Sequence, residues 1–391
     1  MIFYAFLLSS CICALISTYG SSDSLYTCRG KFGFNKRRKN ISMFINDIAQ
    51  LKGKLPNFNT FEKGYKATKD TYCFRLTKYL ADLLVSKPSD ALLKQFLPAE
   101  AEMSFQRDEY YDVGDEKRFT PIKGIVRKYP TKLLFMPTLE CPAYCRFCFR
   151  KEVRSIEGSY VLTDDEVAKC LEYIRGEPAV NEVVFSGGDP FFLSDARLQS
   201  ILECVSSVQH VKFIRLHTRV LTFDPVRLLG SFTRYFSTFN CPSLVFQVNH
   251  PDELASDALK AVAHLHKLGI MMFSHTTLLK DINDDYQTLL TLFQKLLDLK
   301  IKPYYLYHSD PGKGLRHFRV PLKAGISLFN SLFNRISGLA LPTYIFNVPG
   351  GHGHMRLDLG NLTELEDGTY ELRSWDGKLI PFNDKDLLTS M

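Results

Sequence analysis

Three cysteines stand within eight residues, Cys141, Cys145 and Cys148, in a C-x₃-C-x₂-C pattern interleaved with Arg146 and followed by Arg150 and Lys151. Thiolates are the metal-binding form of cysteine, and neighbouring cations favour the thiolate over the thiol. A structural zinc or an ordinary iron–sulfur cluster takes four protein ligands. Three clustered cysteines therefore point to a metal centre with one coordination position left for another molecule. A zinc ion completed by a distant fourth residue is the competing assignment. A lone cysteine would read as a small buried hydrophobe, but three at this spacing do not.

A second motif, Ser186-Gly187-Gly188-Asp189-Pro190, directly follows an apolar stretch. Paired glycines after a strand let backbone approach a ligand closely, and their exposed amides and carbonyls can hold the ammonium and carboxylate of a zwitterion. Taken alone, the same residues make an ordinary turn.

The elements that position these motifs follow from periodicity. Residues 41–116 carry helical patterns, with Leu80, Leu83 and Leu84 at helix spacing and Pro88 closing the run. From residue 132 onward, short apolar runs alternate with amphipathic stretches. The strands are expected at 132–139, 182–185, 211–216, 243–248, 270–274, 303–307 and 343–346. Between them lie helices such as 164–175, with Thr163 and Glu166 as a capping box, and 253–268, ended by Gly269. Repeated units of this kind predict a parallel sheet with crossover helices. Polar residues stand at the C-terminal end of every predicted strand: Cys141, Ser186 to Asp189, His217 with Arg219, Asn249 with His250, His275, His308 with Asp310, and Asn347. A barrel gathers strand ends onto one face, whereas an open doubly wound sheet uses one crevice. The expectation is an α/β fold: a partial or complete TIM-like barrel of parallel strands with a small helical N-terminal region.

The cysteine motif after a first strand resembles the radical S-adenosylmethionine (SAM) superfamily, and the run from about Leu97 to Gly353 resembles the lysine 2,3-aminomutase family more narrowly. Gln95 to Glu100, Lys128-Tyr129-Pro130 and Tyr304 to Asp310 leading into Gly314 to Arg319 carry that narrower likeness. The resemblance implies that Cys141, Cys145 and Cys148 hold a [4Fe–4S] cluster whose fourth iron is chelated by SAM. It implies that Ser186, Gly187, Gly188 and Asp189 bind SAM, and that His217, Arg219, His250 and His275, with Asn249, line the SAM and substrate pocket. Arg150 falls where the family pairs with the substrate α-carboxylate, and Asp310 where the lysine mutases hold the distal ammonium. A reducing electron donor such as flavodoxin or ferredoxin and a small amino acid or lysine side-chain substrate come with the same likeness. So does hydrogen abstraction by a 5′-deoxyadenosyl radical.

One part of the chain departs from the family. Pro349-Gly350-Gly351-His352-Gly353-His354 matches the segment that ends in the lysine forming a Schiff base with pyridoxal phosphate (PLP), and His354 stands at that position. Imidazole cannot form the imine, so PLP, if bound, lacks its anchor. Asn347 replaces a second ammonium-binding aspartate, and Lys128 and Lys132 replace two arginines beside PLP. Besides an aminomutase-like isomerase, two readings follow: a PLP-free radical SAM mutase or protein-lysine modifier, and a non-catalytic cluster- or zinc-binding descendant.

The 391 residues are 45% hydrophobic, enough for one large core. The net charge of +7 is dispersed apart from Lys36-Arg37-Arg38-Lys39, and no aromatic-interleaved basic stripe accompanies it, so no nucleic-acid partner is expected. Ten cysteines are sparse for a disulfide framework at this length. Residues 2–16 form a signal-like apolar core, followed by a basic, acid-poor stretch at 28–39. Together they resemble a two-part leader for an organelle, plastid-like or mitochondrial, with a cytoplasmic location as the alternative and no membrane contact in the mature form. The expected divisions are a leader over 1–40, a helical region over 41–130, a radical SAM barrel over 131–355 and a C-terminal extension over 356–391. A homo-oligomer is compatible with all of this.

Overall fold

The described backbone begins, in the computed structural model, with a two-residue strand pair: β1 (Phe44–Ile45) lies antiparallel to β2 (Leu76–Thr77). The described residues are 44–106, 109–237, 242–358, 361–365 and 369–384; the expected leader lies outside them. The described residues belong to one compact unit. No helix among the described residues is long and apolar enough to cross a membrane.

Three helices make the N-terminal region, α1 (Phe58–Thr68), α2 (Lys78–Ser86) and α3 (Asp90–Phe96). Thr77 caps α2 by accepting from the Leu80 amide at 3.1 Å, and Ser89 caps α3 through the Leu92 amide at 3.3 Å. Leu80, Leu84, Leu92 and Phe96 are fully buried. This packing brings Gln95, at the end of α3, into the barrel wall.

Nine strands then form one sheet: β3 (Ile125–Val126), β4 (Lys132–Thr138), β5 (Glu182–Gly187), β6 (Phe213–Thr218), β7 (Ser243–Gln247), β8 (Met272–Thr277), β9 (Lys302–Tyr307), β10 (Thr343–Val348) and β11 (Gly353–Arg356). They are hydrogen-bonded in sequence order, β4 to β10 all parallel, with β3 and β11 antiparallel at the two ends. The two end strands do not pair with each other, so the sheet is an open half-barrel. The seven expected strands are β4 to β10. The two antiparallel end strands are too short to leave a periodic signal.

Helices α4 (Lys151–Glu157), α5 (Asp164–Arg175), α6 (Asp195–Ser206), α7 (Val220–Phe223), α8 (Ser256–Lys267), α9 (Tyr286–Asp298) and α10 (Leu322–Leu332) cover the outside. Helix α5 carries the expected capping box of Thr163 and Glu166. Helix α8 starts three residues later than the sequence pattern predicts, because Glu253 turns its carboxylate inward and accepts from the Asn249 and His250 amides at 2.8 and 3.0 Å. Side chains alternate along each strand. Phe135, Phe185, Leu216 and Phe246 are buried in the main core cluster, while Val184, Arg215, His217, His275 and Tyr307 line the concave cavity. A final antiparallel sheet, β12 (Leu362–Glu364), β13 (Tyr370–Arg373) and β14 (Leu379–Phe382), follows. Near its end the buried Asp384 pairs with Arg319 at 3.1 Å and accepts from the first amide of α10.

Candidate functional site

The concave face encloses a cavity of about 280 Å³. Cys141, Cys145 and Cys148 line it from the loop after β4, Ser186, Gly187, Gly188 and Asp189 from the end of β5, His217 and Arg219 from β6, and His275 from β8. Arg150, Asp310, Asn347 and His354 line it too. Of the residues expected at the site, His250 and Asn249 stay outside the cavity wall. His250 caps a single 3₁₀ turn, accepting from the Asp252 amide at 3.2 Å. Asn249 is fully buried behind the wall, donating to Gln95 at 3.0 Å and accepting from the Thr277 amide at 2.9 Å.

The glycine pair is required first by protein and only then by any ligand. A Cβ on Gly188 would lie 2.1 Å from the Glu140 carbonyl oxygen and 2.5 Å from the Leu139 carbonyl carbon. Gly187 has φ +108°, and a Cβ there would meet the Thr138 carbonyl at 2.5 Å. The Gly188 and Asp189 amides donate to Thr138 and Glu140 at 2.8 and 3.0 Å. The loop thus clasps the backbone that leads into Cys141. Asp189 fixes it from the other side, accepting from the Phe191 amide, the Thr218 hydroxyl and the Arg219 amide at 2.8 to 2.9 Å. Burial pushes its carboxyl up to about 6 against those hydrogen bonds.

Two buried guanidiniums flank the cysteines. Arg219 donates from Nη1 to Cys145 Sγ at 2.8 Å, and Arg154 approaches Cys141 Sγ at 3.9 Å. Arg219 is backed by Glu253 at 3.0 Å and by Gln95. Arg154 lies over the Tyr144 ring at 4.2 Å. Burial raises the Cys141 and Cys145 thiols, and the neighbouring guanidinium opposes that in each case. Three sulfurs beside buried cations fit an anionic iron–sulfur cluster. Among the described residues no three His, Cys, Asp or Glu side chains converge as on one metal ion. A cubane that gives each thiolate its own iron asks for no such convergence.

Arg150 forms a two-point pair with Glu116, Nε to Oε2 at 2.8 Å and Nη2 to Oε1 at 2.6 Å, and reaches the Gly187 carbonyl at 3.3 Å. Burial alone would raise the Glu116 carboxyl, but Arg150 and Lys128 hold it below the usual range. Glu116 is a site residue the sequence reading missed. It lies 34 positions from Arg150, and no motif links them. Asp310 accepts from Asn347 at 3.3 Å, and burial pushes its carboxyl up to about 7. His217 and His275 face each other with ring centroids 5.2 Å apart. Burial lowers both pKa values, His275 to about 3, so both are neutral. His217 Nε2 and His275 Nδ1 are buried without a hydrogen-bond partner, which fits a polar ligand in the cavity.

At the far end, His354 sits against Tyr307 and Tyr305, with ring centroids 5.3 and 6.2 Å away. Its amide donates to the Tyr129 hydroxyl at 3.1 Å. Burial, then the charges of Lys128 and Lys132, lower its pKa to about 4. Imidazole offers no imine-forming amine, so position 354 does not fit a covalently held PLP.

The Radical SAM superfamily model matches residues 135–293. The L-lysine 2,3-aminomutase of Methanococcus maripaludis is 31% identical over 353 residues, 89% of this chain and 81% of its own. The L-lysine 2,3-aminomutase of Acetoanaerobium sticklandii is 29% identical over 94% of this chain and 89% of its own. The glutamate 2,3-aminomutase of Clostridioides difficile is 28% identical, covering 90% and 83%.

Proposed function

The chain belongs to the lysine 2,3-aminomutase family within the radical SAM superfamily, and from that premise we propose that it is an isomerase of an amino acid or lysine-like substrate, holding a [4Fe–4S] cluster and SAM. The observation that carries this reading is the sharing of one cavity by Cys141, Cys145, Cys148, the Gly187-Gly188 loop, Arg150 and Asp310. When bound, the cluster and SAM would supply the radical chemistry that abstracts a hydrogen atom from an unactivated carbon.

The chain's own residues bind, orient and exclude water. Cys141, Cys145 and Cys148 would hold the cluster, and Arg219 and Arg154 would offset the negative charge that their thiolates bring into a buried site. The Ser186 to Asp189 loop presents backbone to the amino group of SAM, held rigid by Asp189. The unsatisfied nitrogens of His217 and His275 are open to hydrogen bonds with the ligands between the strands. Arg150 receives a substrate carboxylate by exchanging it for Glu116, and Asp310 gives its proton to solvent and receives an ammonium. An external reductant of the flavodoxin or ferredoxin type completes the cycle.

Anaerobic reconstitution with iron and sulfide tests this. A brown protein that releases 5′-deoxyadenosine from SAM on reduction, and loses that release in Cys145→Ala, is expected. A colourless protein retaining one zinc per chain would overturn it.

A further inference from the structure

A second cavity, of about 340 Å³, lies outside the concave face and shares no lining residue with it. Its wall comes mainly from three stretches: Lys280 and Asp284 after β8, a 3₁₀ turn at Arg316–Phe318, and Ala324 with Leu328 on α10. The Lys280 amide donates to the Phe318 carbonyl at 2.9 Å, which fastens the first stretch to the second. Phe147, Leu279, Ile282 and Phe318 form a small buried core beside these stretches, with Cys145 packed against it. One layer of side chains thus links the cavity wall to the cysteine loop.

The polar part of this wall has unused hydrogen-bonding capacity. Lys280 is half-buried, and its ammonium has no hydrogen-bond or ion-pair partner among the described residues. His317 packs on the Phe318 ring with centroids 4.1 Å apart, and both of its ring nitrogens are buried without a partner. Buried polar atoms are normally hydrogen-bonded, so open ones on a cavity wall point to something that enters the cavity. Burial, then the charge of Lys151, lowers the His317 pKa to about 4, so the ring is neutral and offers one donor and one acceptor. Asp284 accepts from the Asp281 amide at 2.8 Å and makes no pair with Lys280, while Arg319 is held by Asp384 at 3.1 Å. Ala324 and Leu328, four residues apart on one helix face, add an apolar strip.

We propose that this cavity is a second ligand site and that it takes a small organic carboxylate, its charged end on Lys280 and the His317 N–H and its apolar body on Ala324 and Leu328. One ammonium and one neutral N–H supply two donors for two carboxylate oxygens. An inorganic anion would leave the apolar strip unused. The site is independent of the radical reading, because none of its residues lines the concave cavity.

The test titrates the full chain with para-fluorobenzoate, followed by fluorine NMR. A saturable bound signal is expected, and it should survive Arg150→Ala, which removes the carboxylate receptor of the other cavity. Lys280→Ala should weaken binding about tenfold, the loss of one charge-assisted hydrogen bond, and Lys280→Arg should restore most of it. Ala324→Trp fills the cavity without changing its charge and should abolish the signal. Hexanoate should displace the probe, and acetate at equal concentration should not. Absence of saturable binding, loss of the signal in Arg150→Ala, full binding in Lys280→Ala or in Ala324→Trp, or equal displacement by acetate would each overturn the proposal.

Discussion

Arg219 places its Nη1 2.8 Å from the sulfur of Cys145 while Glu253 and Gln95 hold the same guanidinium from behind. Gln95 comes from α3, and its backbone carbonyl also accepts from the Arg146 amide at 2.8 Å, so the end of α3 meets the cysteine loop directly. Glu253 also accepts from Gln95 Nε2 at 3.2 Å and from the Thr222 hydroxyl at 2.7 Å.

Removing Arg219 therefore has two separable effects. Arg219→Ala strands the buried Glu253 carboxylate, and breaking such a pair costs about 3–5 kcal/mol. It also removes the donor on Cys145, so the reconstituted protein should hold less iron. Arg219→Lys restores a charge without the fork and should recover stability more than iron content. Denaturant midpoints of cluster-free protein and iron per chain measure the two. Equal recovery of both would show that Arg219 acts only through the fold.

Gly188→Ala should be among the most damaging single changes near the cysteines. The added methyl meets carbonyl groups of Leu139 and Glu140, which are backbone and cannot swing away. The loop carrying Cys141 must shift, so SAM cleavage should fall to background while helical circular dichroism persists. Gly176→Ala is the control. Its φ is −74° and the nearest atoms stand at 3.5 Å, so it should be neutral or stabilise by about 0.4–1 kcal/mol.

Asp310 should make the protein less stable as pH rises. Burial raises its folded pKa to about 7 from the ordinary 3.8. Between those values the native state binds the proton that the unfolded state has lost, so unfolding free energy falls as pH rises through this window. His275 and His308 act in the opposite sense. Their folded values are lowered to about 3, so their contribution is full above the unfolded value near 6.5 and is lost as pH falls. Asp310→Asn isolates one term: its midpoint should gain on the parent from about pH 5 to about pH 7. A difference constant across that range would show that Asp310 titrates normally.

The strand ladder and the cysteine and glycine loops were legible because each is local. Alternating apolar runs mark β4 to β10, and C-x₃-C-x₂-C with Ser186-Gly187-Gly188-Asp189 marks the ends of two of them. Glu116, Gln95 and Glu253 were not legible as site residues. Each reaches the site from far along the chain, and a buried carboxylate has no sequence signature apart from its partner. His250 misled for the converse reason. It stands at a strand end like His217 and His275, but the chain turns immediately into a 3₁₀ helix that claims its ring. Gly187 and Gly188 were expected to let backbone approach a ligand, and the close approach that the structure shows is to protein. Their neighbour is the cysteine loop's own backbone.

Glu102 anchors the segment on which Cys148 stands. Its side chain is fully buried and accepts from Arg146 at 2.7 and 2.9 Å, from Lys151 at 2.9 Å and from the Ala99 amide at 2.9 Å. Arg146 and Lys151 bracket Cys148, and Lys151 also donates to the Gly314 carbonyl at 2.7 Å. Burial would raise the Glu102 carboxyl, but the two cations pull it down to about 2. Its contribution is therefore complete above the ordinary carboxylate value of 4.5 and is lost as pH falls toward about 2. Glu102→Gln leaves two buried cations without an anion and should cost about 3–5 kcal/mol at neutral pH. The gap to the parent should narrow in urea melts taken at about pH 3, where the parent's carboxylate begins to protonate. If the gap is the same at both pH values, the loss comes from packing and hydrogen-bond geometry, and the charge of Glu102 contributes nothing to holding the cysteine loop.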